Sequence, residues 1–294
     1  MKIKQKYHSR QTRMGLTFVT PAVVLLFVFL ILPALMSLIF SFTDFYVLTP
    51  DAMSFVGVDN YKTLLSDKLF WKCLKNSAYF TFTIVPIEAV MALGLAILVN
   101  RKMFGRTFFR IAYFAPVIAS LTVVSILWVF LYNPNDGLFN AILSTLGLPK
   151  QKFLRSADQA MNSILVMSIW QGVGYQMIIF IAGLNNISED LYEAASIDGA
   201  NAIKKFWYIT LPGLRSVISF IVVYVTIQAF KVFTQPYLMT NGGPQNSTRT
   251  MVYYIYQQGF QYKKAGYASC IAVVFFLIVV CVSMLLKRIL IEKE

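Results

Sequence analysis

The chain has 294 residues, of which 57% are hydrophobic and 13% charged, and its mean hydropathy is +0.64. A water-soluble domain carries roughly a quarter of its residues as charges, so this composition excludes a soluble protein, and the excess of apolar surface excludes a disordered one. The net charge of +13 comes from 26 Lys and Arg against 13 Asp and Glu. In an apolar chain it reads as positive-inside bias and attraction to lipid headgroups, with no nucleic acid required.

The three cysteines, Cys73, Cys270 and Cys281, form no CxxC pair. Cys270 and Cys281 are about 16 Å apart if helical, beyond disulfide reach. The one histidine, His8, lies in a basic tail. A His-based metal site or a Ser-His-Asp triad has almost no material to work with. No G-x-x-x-x-G-K-[ST], H-E-x-x-H or G-x-S-x-G motif occurs, so the chain carries no ATP cradle of its own.

In chain order, residues 1–15 form a tail with Lys2, Lys4, Lys6, Arg10 and Arg13 and no acid. The uncharged stretch that follows is longer than the apolar part of a signal peptide, so it predicts a retained first transmembrane helix over 16–42. An external loop over 43–75 comes next, then a five-span core over 76–287. The core spans are predicted at 77–99, 110–132, 162–184, 216–237 and 266–286, and a tail covers 288–294. Six spans put both termini on one side. With the termini inside, fifteen Lys and Arg fall inside and ten outside. The dense tail and the 101–110 loop are where the positive-inside rule is most reliable, which sets both termini in the cytoplasm. The outer loops hold the turn signals Asn133-Pro134-Asn135-Asp136-Gly137 and Asn241-Gly242-Gly243-Pro244. The second loop is expected to be mobile by composition.

The cytoplasmic segment at 185–215 predicts a helix, a break and a second helix. Ser188 is an N-cap, with Glu189 and Asp190 in the first turn where the dipole favours acid. Gly199 ends the first helix in a left-handed conformation, Asn201 caps the next, and Pro212 suits the first turn of the fifth span. Ala194-Ala195 beside a carboxylate makes a low surface that another protein can approach closely. A short amphipathic helix lying on the membrane remains the alternative.

Glu193-Ala194-Ala195, then Gly199, then Ile209-x-Leu211-Pro212, with Phe206 also fitting, resembles the EAA motif of binding-protein-dependent ABC importer permeases. The second proline that often follows in that family is Ser216 here, which leaves the start of span five less fixed. Other stretches resemble the carbohydrate branch, which includes maltose-type and glycerol-3-phosphate-type permeases. They are Phe55-Val56-Gly57-Val58-Asp59-Asn60-Tyr61, Leu98-Val99-Asn100-Arg101, Trp170-Gln171-Gly172-Val173-Gly174, Met239 to Pro244, and Gly266-Tyr267-Ala268-Ser269.

The resemblance implies an all-α integral membrane protein with six transmembrane helices and a cytoplasmic coupling helix between helices four and five. It implies that Glu193, Ala194, Ala195 and Gly199 dock on an ATPase subunit. Asp198 would help cap or orient that surface, and Leu211-Pro212 would link it to span five, with Phe206 and Ile209 part of the same coupling segment. It further implies two separate ATPase subunits that hold ATP and Mg, a second and different permease chain, an extracytoplasmic solute-binding protein, and a carbohydrate substrate. The place is the cell (inner) membrane of a bacterium or archaeon. An importer of glycerol 3-phosphate or another polyol or phosphate ester is the alternative within the family. A remoter one is an ion-coupled secondary transporter, which would place coupling carboxylates in several spans; only Glu88 is present.

Polar residues at membrane depth are costly and so are candidates for the substrate path. They are Glu88 in span two, Trp170, Gln171, Tyr175 and Gln176 in span four, and Gln228 and Lys231 in span five. Aromatic planes stack on sugar faces, and amides serve hydroxyls as donor and acceptor. Burial of Glu88 against a neighbouring hydroxyl or amide, snorkelling of Lys231, and simple helix packing at Gly172 and Gly174 stay open as alternatives.

Overall fold

The computed structural model describes residues 15–100 and 104–291. Nearly all of the basic tail at 1–15, part of the tail at 288–294, and Arg101 and Lys102 lie outside the described residues. The described chain is helical, with one isolated antiparallel bridge between Thr43 and Phe55. In chain order the helices are α1 (Gly15–Phe40), α2 (Asp59–Ser66) and α3 (Lys68–Asn100). Next come α4 (Arg106–Ile118), α5 (Leu121–Leu131), α6 (Leu138–Thr145) and α7 (Ala160–Asn185). The hairpin segment holds α8 (Glu189–Ile197) and α9 (Ala202–Gly213). The rest is α10 (Arg215–Phe230), α11 (Thr234–Thr240), α12 (Met251–Tyr256) and α13 (Ala265–Ile291).

The chain falls into two compact units. Among the described residues, the first comprises 15–66 and 255–275. None of the apolar stretch of α1 is buried within the chain. At its end, the Asn60 side-chain amide on α2 donates to the carbonyls of Ser41 and Thr43 at 2.9 and 2.8 Å. Gly266 donates its N–H to the Phe45 carbonyl at 2.9 Å. A Cβ at Gly266 would run into the Thr43 carbonyl, so this crossing of two backbones needs glycine.

Among the described residues, the second unit comprises 67–100, 104–254 and 276–291. Its central element is α7, with 61% of its most apolar window buried. α7 packs against α3 and α4, and α10 packs against α3. Ala92 and Ala96, one turn apart on α3, are completely buried; small side chains let helices approach closely where no hydrophobic drive separates protein from lipid. Ile164, Met167, Met177 and Phe180 of α7, with Ile221 and Val225 of α10, fill the core.

Among the described residues, four helices, α1, α3, α7 and α13, are long and apolar enough to cross a membrane. Two further crossings are bent pairs: α4 with α5 at 98°, and α9 with α10 at 65°. Among the described residues the spans number up to six, if each bent pair counts as one. The stretch expected as a single span at 110–132 is therefore two helices. Ala119 and Ser120 are extended, with ψ of 141° and 124°, just after Pro116, which cannot donate to the helix ladder. The span expected at 216–237 stops at Phe230. Lys231 caps α10, and α11 restarts with Pro236 in its first turn and packs against α5. Pro212 sits in the last turn of α9, ahead of the bend at Leu214, and not in the first turn of the fifth span.

Gly174 on α7 is the tightest helix crossing in the second unit: a Cβ there would collide with the Tyr113 carbonyl on α4. Backbone cannot yield as a side chain does, so Gly174→Ala is expected to cost about 1–3 kcal/mol. This reads as a fall of several degrees in the thermal unfolding midpoint of the detergent-solubilised protein. Gly94→Ala, where a Cβ meets nothing within 4 Å, leaves the midpoint unchanged or higher. Equal midpoints for the two variants would contradict the crossing.

Candidate functional site

Six of the seven polar residues singled out at membrane depth line one cavity of about 570 Å³: Glu88, Gln171, Tyr175, Gln176, Gln228 and Lys231. They come from α3, α7 and α10 with its cap, and α3 packs against both of the others. Residues 171, 172, 175 and 176 fall at helical spacing on one side of α7 and face the cavity together. Trp170, the seventh, points elsewhere. Its ring packs 5.4 Å from that of Trp128, at the edge of an aromatic cluster with Tyr132, Phe139 and Phe153. It sits one position before the cavity face, about 100° round the helix.

The cavity wall has a divided character. Gln171 reaches toward the Pro116 carbonyl at 3.5 Å, close to where the α4–α5 break begins. Gln228 donates to the Tyr224 hydroxyl at 3.1 Å. The Tyr175 and Tyr224 rings lie 5.5 Å apart and form an aromatic wall. Gln176 is buried, and its Oε1 has no hydrogen-bond partner among the described residues. Glu88 is 3% exposed. No described side chain donates a hydrogen bond to its carboxyl, although Ser168, Gln171 and Gln176 line the same cavity. It rests on Gly172, where a Cβ would strike Oε1. The two glycines thus divide the work: Gly174 permits a helix crossing and Gly172 leaves room for a carboxyl. Tyr224, Ser168, Thr234 and Gln235 also line the cavity. Sequence reasoning passed over them. Tyr224 carried a signal, since it lies one turn before Gln228.

The 188–213 segment is a helical hairpin. The Ser188 hydroxyl accepts from the Asp190 N–H at 3.3 Å, and Asn201 Oδ1 accepts from the Lys204 N–H at 2.9 Å. Gly199 has φ +73°, and Ala200 N–H closes onto the Ala195 carbonyl at 2.8 Å. The local reading of caps and break therefore agrees with the structure. Two contacts that the sequence reading missed clamp the hairpin. Tyr192 and Thr210 share a hydroxyl hydrogen bond of 2.9 Å, and Lys205 Nζ donates to Ser196 Oγ at 2.5 Å.

These clamps fix which face of α8 points out. Tyr192 and Ala195 turn inward, while Glu193, Ala194, Asp198 and Gly199 are exposed. Phe206, Ile209 and Leu211 are half-buried along α9, and Pro212 is exposed. Ile197, one turn after Glu193, is 88% exposed and sits at the centre of the outward face. Its signal was the i+4 spacing. Leu191 on the same helix is likewise apolar and exposed.

The loop containing Asn241-Gly242-Gly243-Pro244 departs from expectation. It is pinned, not mobile. Asn76 donates to the carbonyls of Asn246 and Arg249 at 2.8 and 2.9 Å. Lys72 donates to that of Gln245 at 2.8 Å, and the Tyr253 hydroxyl donates to Asn241. Partners far along the chain supply the order that local composition could not reveal.

Residues 89–293 match the family described as "Binding-protein-dependent transport system inner membrane component". The chain is 34% identical over 273 residues to the Probable ABC transporter permease protein YurN of Bacillus subtilis (strain 168), covering 91% of this chain and 92% of that protein. It is also 34% identical over 271 residues to the Arabinooligosaccharides transport system permease protein AraP of the same organism, covering 91% and 85%. In fold it is similar to a chain of a bacterial alginate ABC transporter solved in complex with an alginate pentasaccharide-bound periplasmic protein. The TM-score is 0.83 and the identity 21%, over 95% of this chain and 94% of that one. The chain belongs to the family of binding-protein-dependent transport system inner membrane components.

Proposed function

We propose that the chain is one membrane-spanning subunit of an ATP-driven importer for an oligosaccharide, and that the cavity between α3, α7 and α10 is where the sugar crosses. The observation that carries this reading is the cavity wall: amides, hydroxyls and two tyrosine rings on a space of about 570 Å³. Amides and hydroxyls both donate and accept, as sugar hydroxyls do, and tyrosine rings stack on sugar faces. The arabinooligosaccharide relative supports the same substrate class. Lys231 on the cavity wall favours a phosphate ester as the second reading, but Glu88 lines the same space with the opposite formal charge.

A binding protein outside delivers the sugar, and a second, different permease chain completes the path. Two ATPase subunits, which hold ATP and Mg, dock on the outward face of α8. This chain orients the sugar and transmits motion; it makes and breaks no bond. Its termini lie in the cytoplasm of a bacterial or archaeal cell. The rigid clamps at Tyr192–Thr210 and Ser196–Lys205 let closure of the ATPase pair move α9 and α10 as a body, the hinge-and-shear mode of alternating access.

Two sets of variants test the reading in proteoliposomes holding the complete complex. Gln171→Leu and Gln228→Leu each remove hydroxyl partners and are expected to lower oligosaccharide uptake about tenfold, the cost of leaving a buried hydroxyl unpaired. Assembly of the complex stays intact. Uptake at the wild-type rate in both variants would remove the sugar from this cavity. Glu193→Lys and Ile197→Asp are expected to lower sugar-stimulated ATP hydrolysis by at least about tenfold, with the chain still folded in the membrane. Unchanged stimulation in both would detach the ATPase from α8.

A further inference from the structure

Asn100 ends α3 and Asn185 ends α7, and the two side chains are joined by a hydrogen bond of 3.2 Å. The Asn100 Oδ1 accepts from Arg106 Nη2 at 2.8 Å, and Arg110 Nη2 donates to the same oxygen at 3.4 Å. Two guanidiniums one turn apart on α4 therefore converge on a single neutral oxygen. The Nε of each is buried and has no hydrogen-bond partner among the described residues. No described carboxylate lies within ion-pair distance of either guanidinium.

The surroundings add to the positive charge. α4 begins at Arg106, with no acid in its first turn and no side-chain cap, so the positive end of the helix dipole reinforces the cations. Like charges held this close repel unless an anion sits between them, and each buried N–H left unbonded carries a desolvation cost. An asparagine oxygen offers no charge in return. Beside the pair, Phe104 is fully exposed and Phe108 and Ile111 are 69% and 63% exposed. This is an apolar apron on the side that the charge distribution assigns to the cytoplasm.

We propose that Arg106, Arg110 and Asn100 form a binding site for a phosphate group, of the kind carried by a phospholipid headgroup or by free phosphate. Guanidinium forks match phosphate oxygens with paired, charge-assisted hydrogen bonds. A basic pocket between helix ends at the membrane surface is suited to an anionic headgroup, and the apron of Phe104, Phe108 and Ile111 gives acyl chains a place to lie. Through Asn100 and Asn185 the bound group sits one short step from the start of the 188–213 hairpin.

The test uses the complete complex in nanodiscs of phosphatidylcholine, alone or mixed with phosphatidylglycerol, with retained lipid counted by native mass spectrometry. The wild type is expected to retain phosphatidylglycerol in preference to phosphatidylcholine. R106Q/R110Q loses that preference about tenfold, as fits the loss of a charge-assisted hydrogen bond, and R106K/R110K, which keeps the charge without the fork, falls between. The same spectra report whether the complex is assembled; if R106Q/R110Q does not assemble, R110Q alone replaces it. A second arm titrates inorganic phosphate into lipid-depleted complex in detergent. Saturable phosphate binding that R106Q/R110Q abolishes, without a phosphatidylglycerol preference, assigns the site to free phosphate. If neither the lipid preference nor phosphate binding depends on the two arginines, the proposal is overturned.

Discussion

Polar groups at membrane depth must find partners within the protein or open onto a wet cavity, because hydrocarbon offers them nothing. This constraint organises the second unit. α7 carries Gln171 and Gln176, and α3 carries Glu88. Packing α3 against both α7 and α10 brings all three residues onto one cavity. The break between α4 and α5 leaves carbonyls without ladder partners, and Gln171 reaches the one at Pro116. The same residues that would be ruinous against lipid become the wall of a cavity.

The hairpin obeys the opposite logic. Its outward face is small and partly apolar, with Ala194, Ile197 and Gly199 exposed. The inward face spends its hydroxyls on rigidity. Tyr192 and Thr210 join α8 to α9. From there the chain runs through the 65° bend at the buried Leu214 into α10, which carries Tyr224 and Gln228 on the cavity, with Lys231 at its cap. The exposed face of α8 and the cavity are two ends of one continuous stretch of chain.

Much of this was legible in the sequence where the signal is local. Ser188, Gly199 and Asn201 each announce a cap or a break through their own chemistry, and the structure places them so. The polar residues of α7 were legible because glutamine is rare at membrane depth. Trp170 misled because a tryptophan next to Gln171 shares its neighbourhood in sequence but not its helix face. The break at Ala119–Ser120 was invisible to hydropathy, since small neutral residues do not lower an average. The pinning of the Asn241–Pro244 loop depends on Lys72 and Asn76, about 170 positions away, and no local reading reaches that far. Arg106 and Arg110 were legible only as positive charge; their convergence on Asn100 is a tertiary fact.

The central claim is that ATP hydrolysis by partner subunits, and no ion gradient, drives sugar through this chain. The direct measurement is uptake of a labelled oligosaccharide into proteoliposomes that hold the complete complex and its binding protein, with the proton gradient collapsed and ATP either enclosed or omitted. The account predicts accumulation that requires ATP and is indifferent to the collapsed gradient. Accumulation that persists without ATP and vanishes with the gradient would contradict it.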